Sequence, residues 1–335
     1  MKLIAYDIRD DERPYAEAWA KEHNVDVTLL SDQLTDKTVE KAKGYDGINA
    51  YQQLPYTAGV FEKMNEYGIK YISLRNIGTD NVDIPALKKA GVRLTNVPSY
   101  SPEAIAELEM AGLMMLLRRM PEFRTKIAQG NFSWKPDIAR ELQTLTVGII
   151  GTGRIGRAAY KIYHEGFGAK VIGYDVYKNP ELDAQGIYVD DVNDLFKQAD
   201  IVTLHAPATK ENYHTVNADT LAEMKDGSYI INTARGDLLD SQALLDSVKS
   251  GKTAGAFLDV EENEVGIFNN KFSSLDEVAK KNPVLVDMIK QENIIVTPHV
   301  AFYTHTAVKN MVDDSFDALN SMVTTGKADT EVKFD

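Results

Sequence analysis

Four short segments of this chain collect the side chains that could do chemistry, and each follows a run that reads as a β-strand. They are His205-Ala-Pro207, Asn232-Thr-Ala-Arg235-Gly-Asp, Asp259-Val-Glu-Glu-Asn-Glu264 and Thr297-Pro-His299. In open α/β sheets ligands bind outside the carboxyl ends of the strands, so these loops are where a site belongs. Together they offer a cation, several acids and a titratable imidazole. Each has a plainer reading by itself. An arginine before glycine is often a surface ion-pair donor, a run such as Glu261–Glu264 is usually a solvated face, and a histidine after proline is more often structural. The chain has no cysteine, which excludes a thiolate nucleophile and a disulfide framework. No His/Cys pair has ligand spacing, so no metal is expected.

The segment that gives these loops a partner is Thr146-Val-Gly-Ile-Ile-Gly151-Thr-Gly153-Arg-Ile-Gly156. It reads as strand, glycine turn and helix start, and a second apolar run (Lys170–Tyr174) then ends on Asp175. Gly151 permits the turn, Gly153 lets backbone approach a diphosphate, and Gly156 allows close helix–strand packing. The diphosphate then meets free N–H groups at the positive end of the helix. Asp175 lies about 20 residues beyond, where a carboxylate accepts the ribose hydroxyls and repels a 2′-phosphate, so NAD is expected rather than NADP. A nicotinamide beside a cation, an acid and an imidazole makes an NAD-linked oxidoreductase.

The elements that must position these groups alternate along the whole chain. Strands are expected at Leu3–Tyr6, Val25–Leu30, Gly47–Ala50, Tyr71–Leu74 and Arg93–Asn96, with amphipathic helices at Pro14–Glu22 and Val60–Tyr67 between them. After Asp175 come strands at Ile201–Leu204, Tyr229–Ile231, Ala254–Leu258 and Ile294–Thr297, and helices near Val192–Gln198, Ala218–Met224 and Gln242–Lys249. Alternating β and α units predict parallel sheets covered by helices, and 335 residues exceed one ordinary core. A helix from Glu103, entered through Ser101-Pro102, bridges the two units, and a last one spans about Thr306 to Thr324. Its apolar stretch, Ala104–Leu117, carries Glu107 and Glu109 and is too short to cross a bilayer. That stretch must be buried in the fold or against another subunit. A net charge of −13 argues against nucleic-acid binding. The charged residues soon after Met1 mark a first strand rather than a signal peptide, and a soluble cytoplasmic protein is expected.

In order along the chain, these motifs resemble those of the D-isomer-specific 2-hydroxyacid dehydrogenases. The resemblance also includes Tyr51-Gln-Gln-Leu, Arg75-Asn-Ile-Gly78-Thr-Asp-Asn, Asn96-Val-Pro-Ser-Tyr100-Ser-Pro, Gly166-Phe-Gly-Ala-Lys170 and Thr297-Pro-His-Val-Ala-Phe-Tyr303. It implies an α/β fold of two doubly wound parallel-sheet domains with a cleft between them. The NAD domain would be Rossmann-type over residues 101–299, and the catalytic domain flavodoxin-like over 1–100 plus 300–335.

The resemblance also implies roles. Arg235 pairs with the substrate carboxylate and carbonyl oxygen, His299 is the acid/base, and Glu264 orients His299 and favours its protonated form. Backbone N–H groups near Ile77 and Gly78 hold the carboxylate from the other side, while Tyr51, Tyr100 and Phe302 line the side-chain pocket. Arg154 and Ile155 face the diphosphate, Asp175 the ribose, and Ala206, Pro207, Asn212, Thr233, Ala234 and Asp259 the nicotinamide half. Arg154 departs from the family, where histidine is frequent in that turn. The bulky Tyr51 resembles enzymes preferring pyruvate, whereas a smaller residue there goes with branched or aromatic 2-oxo acids. A homodimer is implied too. Two other readings stay open: a dehydrogenase of broader side-chain range, and a catalytically idle NAD sensor like the corepressors that share this fold.

Overall fold

Strand β1 (Lys2–Tyr6) is apolar on both sides, and residues 3–6 are buried, which puts it inside a sheet rather than at an edge. The computed structural model describes residues 1–136 and 138–334. The chain divides into two units, Met1–Ser101 with Tyr303–Asp335, and Pro102–Phe302.

In the first unit β1 lies between β2 (Asp26–Leu29) and β3 (Gly47–Ala50), followed by β4 (Tyr71–Leu74) and β5 (Arg93–Thr95). All pairs are parallel and the order β2-β1-β3-β4-β5 is that of a flavodoxin-like sheet. Alternation splits β1 between two cores. Leu3 and Ala5 pack with Trp19 of helix Arg13–His23 and with Val312, Phe316 and Leu319 of helix His305–Thr325. Ile4 and Tyr6 face Val60, Phe61 and Met64 of helix Ala58–Glu66. Thr304 caps the last helix by accepting from the Ala307 N–H, and Gly326 ends it in left-handed backbone at φ 72°.

A buried ion pair sits at the carboxyl edge of this sheet. Arg75 and Glu12 have fully buried side chains, with Arg75 Nε donating to Glu12 Oε1 at 3.0 Å. The remaining guanidinium N–H groups reach Asn49 Oδ1 (2.7 Å) and the Tyr6 and Asp7 carbonyls (3.0 and 2.8 Å). Such a pair is tolerated in the interior only because its donors and acceptors are satisfied.

The second unit has strands β6 (Thr146–Ile150), β7 (Lys170–Tyr174), β8 (Ile201–Leu204), β9 (Ser228–Asn232), β10 (Thr253–Leu258) and β11 (Ile294–Val296). They are all parallel, in the order β11-β10-β9-β8-β6-β7. An isolated parallel bridge joins Gly173 of β7 to Tyr188. Counting that bridge as the strand after β7 gives the order 3-2-1-4-5-6-7, which is the Rossmann order 3-2-1-4-5-6 with its third strand shrunk to one residue pair and a seventh strand, β11, added at the far edge. Helix Pro102–Leu117 lays Met110, Leu113, Leu116 and Leu117 on the core around Val147, Ile149, Tyr163 and Phe257. Gly112 lets it approach, since a β-carbon there would stand 2.2 Å from the Phe257 ring. Much of this helix's apolar surface is thus covered within its own unit.

The same helix carries one fully buried acid. Glu109 accepts from Thr203 Oγ1 at 2.8 Å and from the Tyr163 hydroxyl, and its Oε2 lies 3.2 Å from His205 Nε2. Burial and this carboxylate push the Tyr163 hydroxyl well above its ordinary range. Among the described residues no helix is long and apolar enough to cross a membrane.

Candidate active site

The glycine turn after β6 shows why each glycine is there. Gly151 has φ 93°, and a β-carbon on it would meet the His205 carbonyl carbon at 2.6 Å and the Ala206 nitrogen at 2.7 Å. This contact joins the turn to the segment His205–Pro207. A β-carbon on Gly156 would stand 2.1 Å from the Gly151 carbonyl oxygen, so the first helical turn needs glycine for packing. Gly153 is different. Its φ is −65° and a β-carbon there would meet no protein atom within 4 Å. Nothing in the chain demands glycine at that point, whereas a diphosphate lying against the backbone does. Exposed Arg154 and half-buried Ile155 open the helix Arg154–Tyr160 beside it.

Asp175 at the end of β7 faces the same turn. Its Oδ2 accepts from Thr152 N (2.5 Å) and Thr152 Oγ1 (3.0 Å), and its Oδ1 from Tyr177 N (2.9 Å). A carboxylate has about four acceptor positions, so one remains for a ribose hydroxyl. These residues fit an adenine dinucleotide.

Asn212, one of the residues expected at the nicotinamide half, fastens its own loop: its amide donates to the Pro207 carbonyl (2.7 Å) and its oxygen accepts from Thr209 N (2.7 Å). Thr233 is buried, and its hydroxyl lies 3.5 Å from Glu109. Asn232, fully buried, holds the turn that follows β9 by accepting from Ala234 N (3.0 Å) and donating to the Arg235 carbonyl (2.9 Å).

Arg235 stands half-buried at the tip of this turn. Gly236 after it packs directly on the acidic loop, where a β-carbon would meet the Glu261 carbonyl carbon at 2.2 Å. The arginine loop and the loop bearing Glu264 are therefore in backbone contact. Glu264 in turn meets His299: Oε1 lies 2.6 Å from His299 Nδ1, and Oε2 accepts from Glu261 N at 3.0 Å. His299 has φ 58°, a left-handed backbone that histidine adopts more readily than most residues.

Asp259 holds that conformation. Fully buried at the end of β10, it accepts from Thr297 Oγ1 (2.5 Å), Val300 N (2.9 Å) and Ala301 N (2.8 Å), and its carbonyl accepts from His299 N (2.8 Å). Burial raises its carboxyl above the ordinary value, against those hydrogen bonds. In this geometry Asp259 fastens the loop that presents the imidazole, a role its sequence position did not suggest.

Nor is Glu261–Glu264 a solvated face. Glu261 is 4% exposed, with Oε1 accepting from Ser241 Oγ (3.1 Å) and Oε2 from Asn282 Nδ2 (2.7 Å). Burial, reinforced by Glu262 and Glu264, pushes its carboxyl from 4.5 up to about 7. Between those values the folded chain holds a proton that the unfolded chain has released, so stability falls as pH rises through that window. The full effect is roughly 3 kcal/mol. Glu261→Gln keeps an acceptor for Asn282 and a donor for Ser241, and it should flatten the decline in urea midpoint between about pH 5 and pH 8. Parallel curves for variant and parent would refute this.

In the first unit, Tyr51 follows β3 and is half-buried. The loop after β4 is fixed through carbonyls: Asn96 Nδ2 donates to the Ile77 oxygen (2.7 Å) and Asn76 Nδ2 to the Gly78 oxygen (2.8 Å). A trans peptide whose oxygen is held this way turns its N–H to the opposite side, which orients the Gly78 N–H. The Tyr100 carbonyl accepts from Asn310 Nδ2 at 2.8 Å, and Phe302 is half-buried at the end of the second unit. Among the described residues no cluster of three His, Asp or Glu is placed to hold a metal ion.

Two parallel sheets, a glycine turn ending on an acid and a carboxylate-bound imidazole define a dinucleotide-dependent oxidoreductase. Residues 110–301 match the family described as D-isomer specific 2-hydroxyacid dehydrogenase, NAD binding domain, and the chain belongs to this family. It is an NAD-dependent D-2-hydroxyacid dehydrogenase. A D-lactate dehydrogenase of Lactiplantibacillus plantarum is 53% identical over 336 residues, covering 100% of both chains. The solved structure of a D-2-hydroxyisocaproate dehydrogenase is similar at a TM-score of 0.90 and 44% identity, covering 99% of each chain. An NAD-complexed D-isomer specific 2-hydroxyacid dehydrogenase from Lactobacillus delbrueckii ssp. bulgaricus matches at a TM-score of 0.88 and 36% identity, covering 99% of this chain and 100% of that one.

Proposed function

We propose that the protein reduces pyruvate to D-lactate with NADH, reversibly, with His299 as the acid/base. The observation that carries this reading is the 2.6 Å contact between His299 Nδ1 and Glu264 Oε1. A carboxylate on Nδ1 keeps the proton there in either charge state, so Nε2 is the nitrogen that gives up and takes back a proton. Bound NADH supplies the hydride. His299 Nε2 delivers the proton to the carbonyl oxygen, and Arg235 holds the substrate carboxylate and that oxygen with its planar fork. The Gly78 N–H is assigned to the carboxylate, and Tyr51, Tyr100 and Phe302 to the substrate's side chain. Ala206, Pro207, Asn212, Thr233, Ala234 and Asp259 are assigned to the nicotinamide half, directly or through the loops they fasten.

Pyruvate is favoured because Tyr51 is bulky and because the D-lactate dehydrogenase of Lactiplantibacillus plantarum is alike along its whole length. Pocket volume discriminates by only about 1–3 kcal/mol per methylene, so larger 2-oxo acids keep some activity. The test is NADH oxidation with pyruvate, 2-oxoisocaproate and phenylpyruvate, with chiral analysis of each product. D-Lactate formed at the highest kcat/KM is the expected result. L-Lactate, or a preference for phenylpyruvate, would overturn the reading. NADPH used as efficiently as NADH would show that Asp175 does not exclude the 2′-phosphate.

The reading includes a homodimer in the cytoplasm. Met115, Met120, Ile127, Phe132, Trp134 and Ile138 all leave large apolar side chains exposed on residues 115–138, a natural surface for a second copy. Light scattering that gives the mass of a single chain would remove this part.

A further inference from the structure

We propose that Arg9 is a positioning residue that limits the size of the substrate side chain, by holding the Tyr51 ring between itself and the body of the first unit. The inference rests on the proposed place of Tyr51 in the side-chain pocket. The carbon of the Arg9 guanidinium lies 5.4 Å from the centre of the Tyr51 ring and 5.7 Å from that of Tyr303. Both distances are within reach of a cation–π contact, so the guanidinium joins two aromatic rings.

Backbone order explains the meeting. Tyr6 of β1 is paired with Ala50 of β3, so the chain leaving β1 and Tyr51 leaving β3 emerge side by side at the carboxyl edge of the sheet. Asp7 turns the first of these with φ 51°. Arg9 is then anchored from below. Its backbone N–H donates to Glu12 Oε2 at 3.0 Å, and its guanidinium reaches Glu12 Oε1 at 3.4 Å. Glu12 is fixed by the buried Arg75, which ties it to β3 through Asn49. On the outer side Asp11 accepts from Arg9 Nε and Nη2, each at 3.1 Å. The rotamer of Arg9 is held from two directions.

A surface ion pair with Asp11 contributes little and would not require the guanidinium to lie against Tyr51. The Arg9 side chain is only 24% exposed, so its charge has been partly withdrawn from water at a cost that the aromatic faces and Glu12 offset. With the cation in place, the Tyr51 ring cannot swing towards β1. With the cation removed it can, and the pocket gains room.

The experiment is a double-mutant cycle read as the ratio of kcat/KM for phenylpyruvate to that for pyruvate. Tyr51→Leu should raise this ratio about ten- to a hundredfold. Arg9→Met keeps the aliphatic stem and removes the charge, and it should raise the ratio about fivefold. In the Tyr51→Leu background Arg9→Met should add less than about twofold, because the ring it positions is gone. Tyr303→Leu, on a side chain 51% exposed, tests the other ring if Arg9→Met does not fold. It should raise the ratio in the same direction. A shift with Tyr51→Leu and none with Arg9→Met or Tyr303→Leu overturns the role of Arg9 and leaves the pocket reading intact. No shift with Tyr51→Leu removes the pocket reading, and this inference with it.

Discussion

His299→Asn is expected to lower kcat for 2-oxo acid reduction by about a thousandfold, the middle of the range for a positioned acid/base. Asparagine is the replacement of choice because His299 sits at φ 58°. Asn adopts left-handed backbone readily, so the Asp259 contacts to Val300 and Ala301 are kept. The amide cannot ionise in the working range, so proton delivery from this position is lost while the loop stays formed. NADH affinity, read by fluorescence titration, should change by less than about threefold, since the glycine turn and Asp175 are untouched. The thermal midpoint should stay close to that of the parent. These readouts separate a chemical loss from a folding loss. A variant that retains more than a tenth of the parent kcat would show that the proton comes from elsewhere.

What the sequence made legible followed from local patterns. Buried strands are short apolar runs, and Gly47–Ala50, Tyr71–Leu74, Lys170–Tyr174 and Ile201–Leu204 have the expected bounds because polar, charged or glycine residues lie close on both sides of each run. The glycine turn was legible because its demands are local: a φ of 93° at Gly151 and a 2.1 Å approach at Gly156 admit no other residue. Elements without a strong pattern were not visible. Helix Ile84–Ala90 has seven residues and a proline in its first turn, too short for a period to show. The π-helical turn Lys161–Gly166 extends the helix after the glycine turn without any sequence mark. The strand at Tyr188 is a single bridge.

Buried charge is the other class that local reading misses, because its partners are far apart in sequence. Arg75 and Glu12 are 63 residues apart, and Glu109 and Thr203 are 94 apart. A carboxylate in a run such as Glu261–Glu264 looks solvated until Ser241 and Asn282 are seen against it. The one available signal was a pair of acids, Glu107 and Glu109, within a largely apolar helical stretch, of which Glu107 is exposed and Glu109 buried. A helix facing a core accepts a carboxylate only where donors meet it. The same distance problem governs His299 and Glu264, 35 residues apart, whose meeting spacing alone could not supply.

Arg235→Lys is expected to lower kcat/KM for pyruvate by about a hundredfold, and Arg235→Gln by about a thousandfold. Lysine keeps the charge but replaces a planar five-donor fork by a point charge that cannot hold the carboxylate and the carbonyl oxygen at once. With Gln the substrate carboxylate also loses its counter-ion. The loss should appear in KM and in kcat together, because a substrate held by one contact rotates away from the geometry that His299 needs. Neither change should unfold the loop. Asn232 holds the Arg235 turn through main-chain groups, Ala234 N and the Arg235 carbonyl, and the approach of Gly236 to Glu261 is also backbone contact. NADH affinity measured without substrate therefore serves as the control and should hold within about threefold. A surface ion-pair donor replaced by lysine would change stability slightly and leave KM alone. An unchanged KM for pyruvate in both variants would mean that the substrate carboxylate is bound by some other cation, and the assignment of Arg235 would have to be given up.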